Sequence, residues 1–257
     1  LRTIETVDPQ EWEAMVPSDD PFLEHSFLLG LERSGSVGPP ETGWVPRHII
    51  LRQGEELVGA MPLYEKNHSY GEFIFDWAWA DGSHRAGIPY YPKLVAAIPF
   101  TPVTGTRLLV APGQDPATVR PALAKAAQSL AEKIGAMSIH ILFISHEERA
   151  TLEDCGWLGR STHQYHWARG SEWVAFDDYL SAMRARHRKQ VRRERREAMG
   201  HGLGFALKRG VDLSEQEWSA LWQFYLSTIT KKWSTPYLNQ DFFLSLRETM
   251  AERLVVS

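Results

Sequence analysis

Strand-like and helix-like stretches alternate along this sequence, which predicts an α/β (α+β) fold with mixed central sheets flanked by helices. Three observations carry that prediction. Two β-rich runs, VPRHIILR and ELVGAMPLYEK, flank the turn Gln53-Gly54-Glu55, a hairpin signal. From residue 115 to 167 the pattern reads helix, strand, helix, strand. Near Ser171 it starts again, so a domain boundary is expected near residue 170, dividing the chain into 1–170 and 171–257. Domains commonly hold about 100–200 residues, and a chain of 257 accommodates one large or two modest ones.

Each element has a local cause. Asp8 is placed to cap a short helix with Pro9 in its first turn, and HSFLLGLER (25–33) reads as a second helix ended by SGSVGPPETG. After the hairpin, EFIF (72–75) reads as a short strand and WAWADGSHRAG as a helix. Asp115-Pro116 opens a helix running to Lys133, with Leu123, Ala126, Ala127 and Leu130 at helical spacing. The strand MSIHILFI follows, then a helix from His146 and a strand over 157–167. In the second half FDDYLSAM reads as a short helix, 184–199 as a long charged one, and LGFALKRG as a strand. SEQEWSALWQFYLSTITKK begins with the capping box Ser214/Glu217, and NQDFFLSLRETMAE is a last helix. The chain stops at AERLVVS, inside an apolar β-type run, so a C-terminal portion beyond Ser257 is expected.

Composition narrows the chemistry. Hydrophobic residues make up 43% and charged residues 23%, enough apolar material for a real core. The ten Trp are unusually many, and Trp is usually placed where its ring is buried and its N–H bonded. With Cys155 alone, no intramolecular disulfide or Cys-based zinc site can form. Cys155 is expected to be a small buried hydrophobe, because Glu153 and Asp154 beside it disfavour a thiolate. No run approaches the ~20 apolar residues of a membrane span, and the first residues read as a folded start rather than a signal peptide. A reducing cytoplasm is the simplest compartment.

Charge is segregated. Eight basic residues fall in the thirteen from Arg184 to Arg196. The stretch 183–210 holds ten basic and two acidic residues, formally +8, while the remainder is formally −12. A nearly one-signed helix repels itself; either it faces water or an internal acidic partner, or it grips a polyanion. Arg188, Lys189 and Arg192 are candidate phosphate contacts, because guanidinium forks suit phosphate. The run alone does not separate a CoA pyrophosphate, a nucleotide-linked substrate and tRNA.

Elsewhere, metal-ligand spacing is lacking. His163 and His166, three apart on an expected strand, would point to opposite faces. His140 reads as a satisfied core residue, and no metal is expected. There is no P-loop and no G-x-G-x-x-G. Two polar–aromatic stretches stand out. SYGEFIFDWAWA places Glu72 and Asp76 among aromatic residues. YYPKLVAAIPFTPVTGTRLL places Tyr90, Tyr91 and Lys93 before a Pro-stiffened loop with Phe100, Thr101, Thr104 and Arg107. The alternatives are a packed aromatic core and a groove wall with convergent polar groups.

Six blocks resemble the Fem-like N-acyltransferases of the GNAT superfamily, often labelled peptidoglycan biosynthesis proteins. They are PFLEHSFLLGLERSGSV (21–37), GWVPRHIIL (43–51), MPLYEKNHSYGEFIFDWAWA (61–80), YYPKLVAAIPFTPVTGTRLL (90–109), FDDYLSAMRARHRKQVRRERR (176–196) and KKWSTPYLNQDFF (231–243). The third and fourth are the specific ones, and the resemblance spans nearly the whole chain. After Ala80, where a family-like aromatic or basic residue is expected, this chain has Asp81-Gly82-Ser83. The resemblance implies tandem GNAT-like domains, the second incomplete here and carrying the basic helix 184–199. It implies transfer of an acyl or aminoacyl group from acyl-CoA or aminoacyl-tRNA to an amine, with no tightly bound cofactor.

Glu72 and Asp76 are the candidate bases for such a reaction, and Tyr90, Tyr91, Lys93, Phe100, Thr101, Thr104 and Arg107 are candidate substrate contacts. The expected partner is an anionic small molecule or nucleotide-linked substrate, with tRNA among the carriers. Much of the acyl-transfer site is expected beyond Ser257, and the 257-residue chain alone is expected to be inactive. Two other readings compete: an RNA-binding module without chemistry, and a scaffold whose basic helix docks on its own acidic N-terminal half.

Overall fold

A computed structural model describes residues 1–202, 204–232 and 234–257. Leu203, in the expected strand LGFALKRG, and Trp233, in the block KKWSTPYLNQDFF, lie outside the described residues.

The first half is an α/β assembly. Helix α1 (Pro9–Glu13) is capped by Asp8, whose carboxylate accepts from the N–H groups of Gln10 and Glu11 at 2.8 and 3.0 Å. Helix α2 is His25–Arg33. Strands β1 (Val45–Pro46), β2 (Ile49–Gln53), β3 (Glu56–Met61) and β4 (Tyr64–Lys66) follow. The β2–β3 hairpin closes on Gly54, whose φ of 61° is the left-handed turn conformation that glycine adopts without strain. Helix α3 (Trp77–Arg85) separates β4 from β5 (Lys93–Ala96), and β6 is Leu109–Val110. Helix α4 (Pro116–Ile134) starts at an Asp115 cap and leads to β7 (Ile139–Ile141). Helix α5 (His146–Asp154) opens with a Ser145/Glu148 capping box.

The sheets are mixed. Strands β1-β4-β5-β7 form one, with β5 and β7 parallel and the other pairs antiparallel. Strands β2-β3-β6 form a second, antiparallel sheet. Helix α4 covers strands through Val119, Leu123, Ala127 and Ala131, all buried at four-residue spacing. Gly59 of β3 permits the close approach: a Cβ there would lie 2.5 Å from Val119 Cγ1. A second core gathers Trp12, Leu28, Leu31 and Trp44, and each buried Leu contributes about 1.5–3 kcal/mol of transfer free energy.

The later elements are α6 (Phe176–Ser181), α7 (Ala185–Gly200), β8 (Lys208–Arg209), α8 (Glu215–Lys231, with the expected Ser214/Glu217 capping box), α9 (Gln240–Thr249) and β9 (Val255–Val256). The chain forms two compact units, Leu1–Gly159 with Arg209–Leu254, and Arg160–Lys208 with Val255–Ser257. Helix α9 therefore belongs with the first half, where Phe242 meets Phe27 edge to face at 5.6 Å.

Several local expectations fail. The stretch 157–167 forms no strand: Leu158 and Tyr165 are solvent-exposed and their backbone has no ladder to join. His163 and His166 accordingly lie in exposed irregular chain. EFIF is irregular, bent chain, and among the described residues of LGFALKRG only Lys208–Arg209 is strand. Cys155 is exposed rather than buried, because it caps the C-terminus of α5 at the surface.

Candidate functional site

The antiparallel register of β4 and β5 sets Lys66 directly opposite Lys93. Like charges across a strand pair repel, and both lysines are completely buried. Buried cations persist only with partners. The partners come from the connection between the two strands. Lys93 Nζ donates to Asp76 Oδ2 at 2.6 Å, Glu72 Oε2 at 2.8 Å and Ser69 Oγ at 2.8 Å, using its three protons. Lys66 Nζ donates to the Tyr70 carbonyl at 3.1 Å and lies 3.9 Å from Glu72 Oε1. It also sits 3.7 Å from the centroid of the Trp44 ring, a cation–π contact. Two cations and two carboxylates thus neutralise one another inside the protein.

The connection folds to make this possible. Gly71 takes a φ of 79°, and a Cβ there would collide with the Phe100 ring at 2.7 Å. From residue 72 the chain alternates sides with inverted polarity: Glu72 and Asp76 point inward, while Phe73 and Phe75 face solvent. Both phenylalanines hold positive φ, 60° and 52°, a strained backbone for a residue with a Cβ. Asp76 then precedes α3, whose Trp77 and Trp79 are also exposed. The Tyr90 hydroxyl donates to Asp76 Oδ2 at 2.7 Å, and the Tyr91 hydroxyl meets Ser69 Oγ at 2.8 Å. Tyr90 also lines an open, mainly apolar cleft of about 500 Å³ with Ala78, Trp79, Gly82, Ser83 and Ala86. The cleft and the buried charges share this one side chain.

The groups titrate unequally. Burial alone would raise the Asp76 carboxyl, but hydrogen bonds from Lys93, Tyr90 and Ser69 outweigh it and hold it at about 2. Glu72 goes the other way, because burial outweighs Lys93 and pushes its carboxyl above the ordinary range. Burial lowers the Lys66 ammonium to about 7, with Lys93 adding repulsion and Glu72 resisting. Burial and the Asp76 bond raise the Tyr90 hydroxyl. Glu72 Oε1, Asp76 Oδ1 and the Tyr64 hydroxyl are buried without a hydrogen-bond partner, a condition that buried polar atoms seldom tolerate. The cluster has a basic carboxylate, an ammonium near neutrality and acceptor capacity to spare.

Of the residues singled out from sequence, Glu72, Asp76, Tyr90, Tyr91 and Lys93 come together here. Phe100, at a φ of 63°, stacks on Tyr237 with ring centroids 5.0 Å apart. The Thr101 hydroxyl donates to the Pro99 carbonyl, and Thr104 is exposed. Arg107 is buried and donates to the carbonyls of Val103, Thr106 and Leu142, which locks its loop. Arg188 and Arg192 turn toward α6: Arg188 donates to the carbonyls of Ser181 and Met183, and Arg192 lies 3.5 Å from Asp177. Lys189 lies on another, exposed face of α7. Lys66, Ser69 and Trp44 were not singled out. Tyr64 and Lys66 share strand parity, so a lysine on an inward register was the available signal.

A family profile described as peptidoglycan biosynthesis/recognition, FemAB-like, matches residues 3–257. No curated protein matches the chain. Among solved structures it is similar to FemX, at 15% identity and a TM-score of 0.36, over 83% of this chain and 47% of that one. The chain therefore spans about half the length of the FemX chain.

Proposed function

The chain belongs to the FemAB-like family, and from that premise we propose that it works as an N-acyltransferase, moving an acyl or aminoacyl group from a CoA or tRNA carrier to an amine. The family description supports a cell-wall precursor as the acceptor. With this reading goes an architecture of tandem GNAT-like domains. The observation that carries it is the buried lysine–carboxylate cluster, with two carboxylate oxygens that accept no hydrogen bond, joined through Tyr90 to an open cleft.

The chemistry needs an amine free of its extra proton. The amine attacks the ester or thioester carbonyl, a C–N bond forms, and the carrier oxygen or sulfur leaves. Glu72, with its raised pKa and an Oε1 that accepts no hydrogen bond, is the better base for the ammonium proton; Asp76, held at about 2, is a weak base and a strong electrostatic anchor for Lys93. Lys66, near 7 and 3.9 Å from Glu72, takes up or releases a proton close to neutrality. The direct test offers acyl-CoA and aminoacyl-tRNA donors with an amine acceptor and detects the amide by mass spectrometry. An amide from one donor class identifies the carrier, whereas no amide from either sinks the reading.

A second reading, RNA binding without chemistry, is favoured by α7, a predominantly basic helix with no buried residue. It predicts RNA binding in a protein that forms no amide.

A further inference from the structure

Helix α3 (Trp77–Arg85) has no buried residue. A helix this short gains little from its own hydrogen bonds and is ordinarily held by a packed face. Here apolar side chains face solvent instead: Trp79 is 62% exposed, and Ile88, just beyond the helix, 55%. Along the helix runs the open cleft of about 500 Å³, lined from α3 by Ala78, Trp79, Gly82 and Ser83 and from the chain after it by Ala86 and Tyr90.

Gly82 is the informative position. It lies inside the helix, where glycine is the weakest helix former other than proline. Its φ is not left-handed, and a Cβ built on it would meet no atom within 4 Å. Neither a special backbone conformation nor close packing therefore calls for glycine there. What the missing side chain leaves is the cleft. Ala78, Gly82 and Ala86, four residues apart, keep one stripe of this segment free of bulk. At 1.5 Å per residue that stripe is about 12 Å long.

The lining selects the occupant. None of its six side chains is charged. The Ser83 hydroxyl donates to the Ile88 carbonyl and the Tyr90 hydroxyl to Asp76, both at 2.7 Å, so both protons are engaged within the protein. An aminoacyl group would bring an ammonium that finds no carboxylate among these side chains. An unbranched hydrocarbon needs none. A length of about 12 Å holds roughly ten carbons of an extended chain with C–C bonds of ~1.5 Å.

We propose that the cleft holds the tail of a fatty acyl thioester of about ten carbons, so that the transferred group is a fatty acyl chain rather than an amino acid. The proposal deepens the transferase reading and rests on it for the reaction. The amine nitrogen bonds to the thioester carbonyl carbon, the C–S bond breaks, and the nitrogen's proton ends on the departing thiol. A chain in the cleft lies against Tyr90, one hydrogen bond from Asp76.

The experiment measures binding of straight-chain alkanoates from butanoate to tetradecanoate by calorimetry, each below its micelle concentration, and needs no turnover. Affinity should rise about two- to fourfold for each methylene that leaves water and level off near decanoate. Gly82→Leu, which puts a side chain into the open space, should weaken decanoate at least about tenfold and leave butanoate nearly unchanged. Gly82→Ala should move the plateau to a shorter chain and raise the urea midpoint, because Ala favours the helix. That smaller change keeps the test valid if the Leu variant folds poorly. Affinity independent of chain length, or untouched by both Gly82 substitutions, overturns the proposal. A dimer in sedimentation that Gly82→Leu abolishes overturns it in favour of a second copy on this face. Affinity that climbs through tetradecanoate without a plateau, together with binding to phosphatidylcholine vesicles, overturns it in favour of a lipid surface. If alkanoates bind with the expected plateau but no donor yields an amide, the transferase reading fails while this site stands. An amide from aminoacyl-tRNA without any chain-length plateau keeps that reading and removes this site.

Discussion

Two groups of basic residues in this protein live in opposite solvents. Lys66 and Lys93 are sealed inside the first unit with Glu72 and Asp76, whereas the cations of α7 stand in water with few acidic neighbours. Inside, an unpaired charge costs several kcal/mol, so every member of the cluster is tied to the others. Outside, each pair is worth under about 1 kcal/mol, and the charges act together over a Debye length. The first arrangement fixes geometry and shifts pKa values; the second leaves its charges in water.

The largest expected difference between the two regions is in stability. Lys93→Met removes the cation shared by Glu72 and Asp76 and should cost about 3–5 kcal/mol in urea denaturation. Losing less than about 1 kcal/mol would mean that the cluster is not held by that lysine. The matching change on α7, Arg186, Lys189, Arg193 and Arg196 to Gln, should move stability by less than about 0.5 kcal/mol, because no residue of that helix is buried.

Next comes pH. In the fold Lys66 is held at about 7, against about 10.4 in an unfolded chain. Between those values the unfolded state binds more protons, so Lys66 makes stability rise with pH. Glu72 is raised instead; its contribution is present below the unfolded value of about 4.3 and is lost as pH rises through the folded one. Asp76, held at about 2, contributes above about 3.9 and loses that contribution as pH falls toward 2. Lys66→Met should abolish the rise between pH 7 and 10 in the urea midpoint, and a rise that survives would assign it to another group.

A smaller effect tests the link to the cleft. Tyr90→Phe deletes one hydrogen bond to Asp76 and should cost about 1 kcal/mol. It should also shift the Asp76 carboxyl upward, readable as a carboxyl resonance titrating at higher pH.

The parts legible in the sequence are those with local causes. The caps Asp8, Ser145 and Ser214, the Gly54 hairpin and helix 25–33 follow from neighbours within a few residues. The buried cluster does not, because it depends on the β4–β5 register that sets Lys66 against Lys93. Glu72 and Asp76 were noticed for their aromatic neighbours. They converge because the chain turns at Gly71 and enters α3. The sequence EFIFD did hold a clue: carboxylates in and phenylalanines out reverse ordinary burial. The pattern of 157–167 predicts a strand, but the stretch joins no sheet, because no neighbouring ladder receives it.

The central claim, that the buried cluster performs proton transfer for amide formation, is tested most directly by Glu72→Gln, which preserves shape and removes the base. The measurement is single-turnover amide formation against pH, with folding checked by urea denaturation of the same sample. A folded variant about 100-fold slower, lacking the wild-type rise in rate as Glu72 ionises, is the predicted result. A folded Glu72→Gln protein with the wild-type rate and pH profile would contradict it.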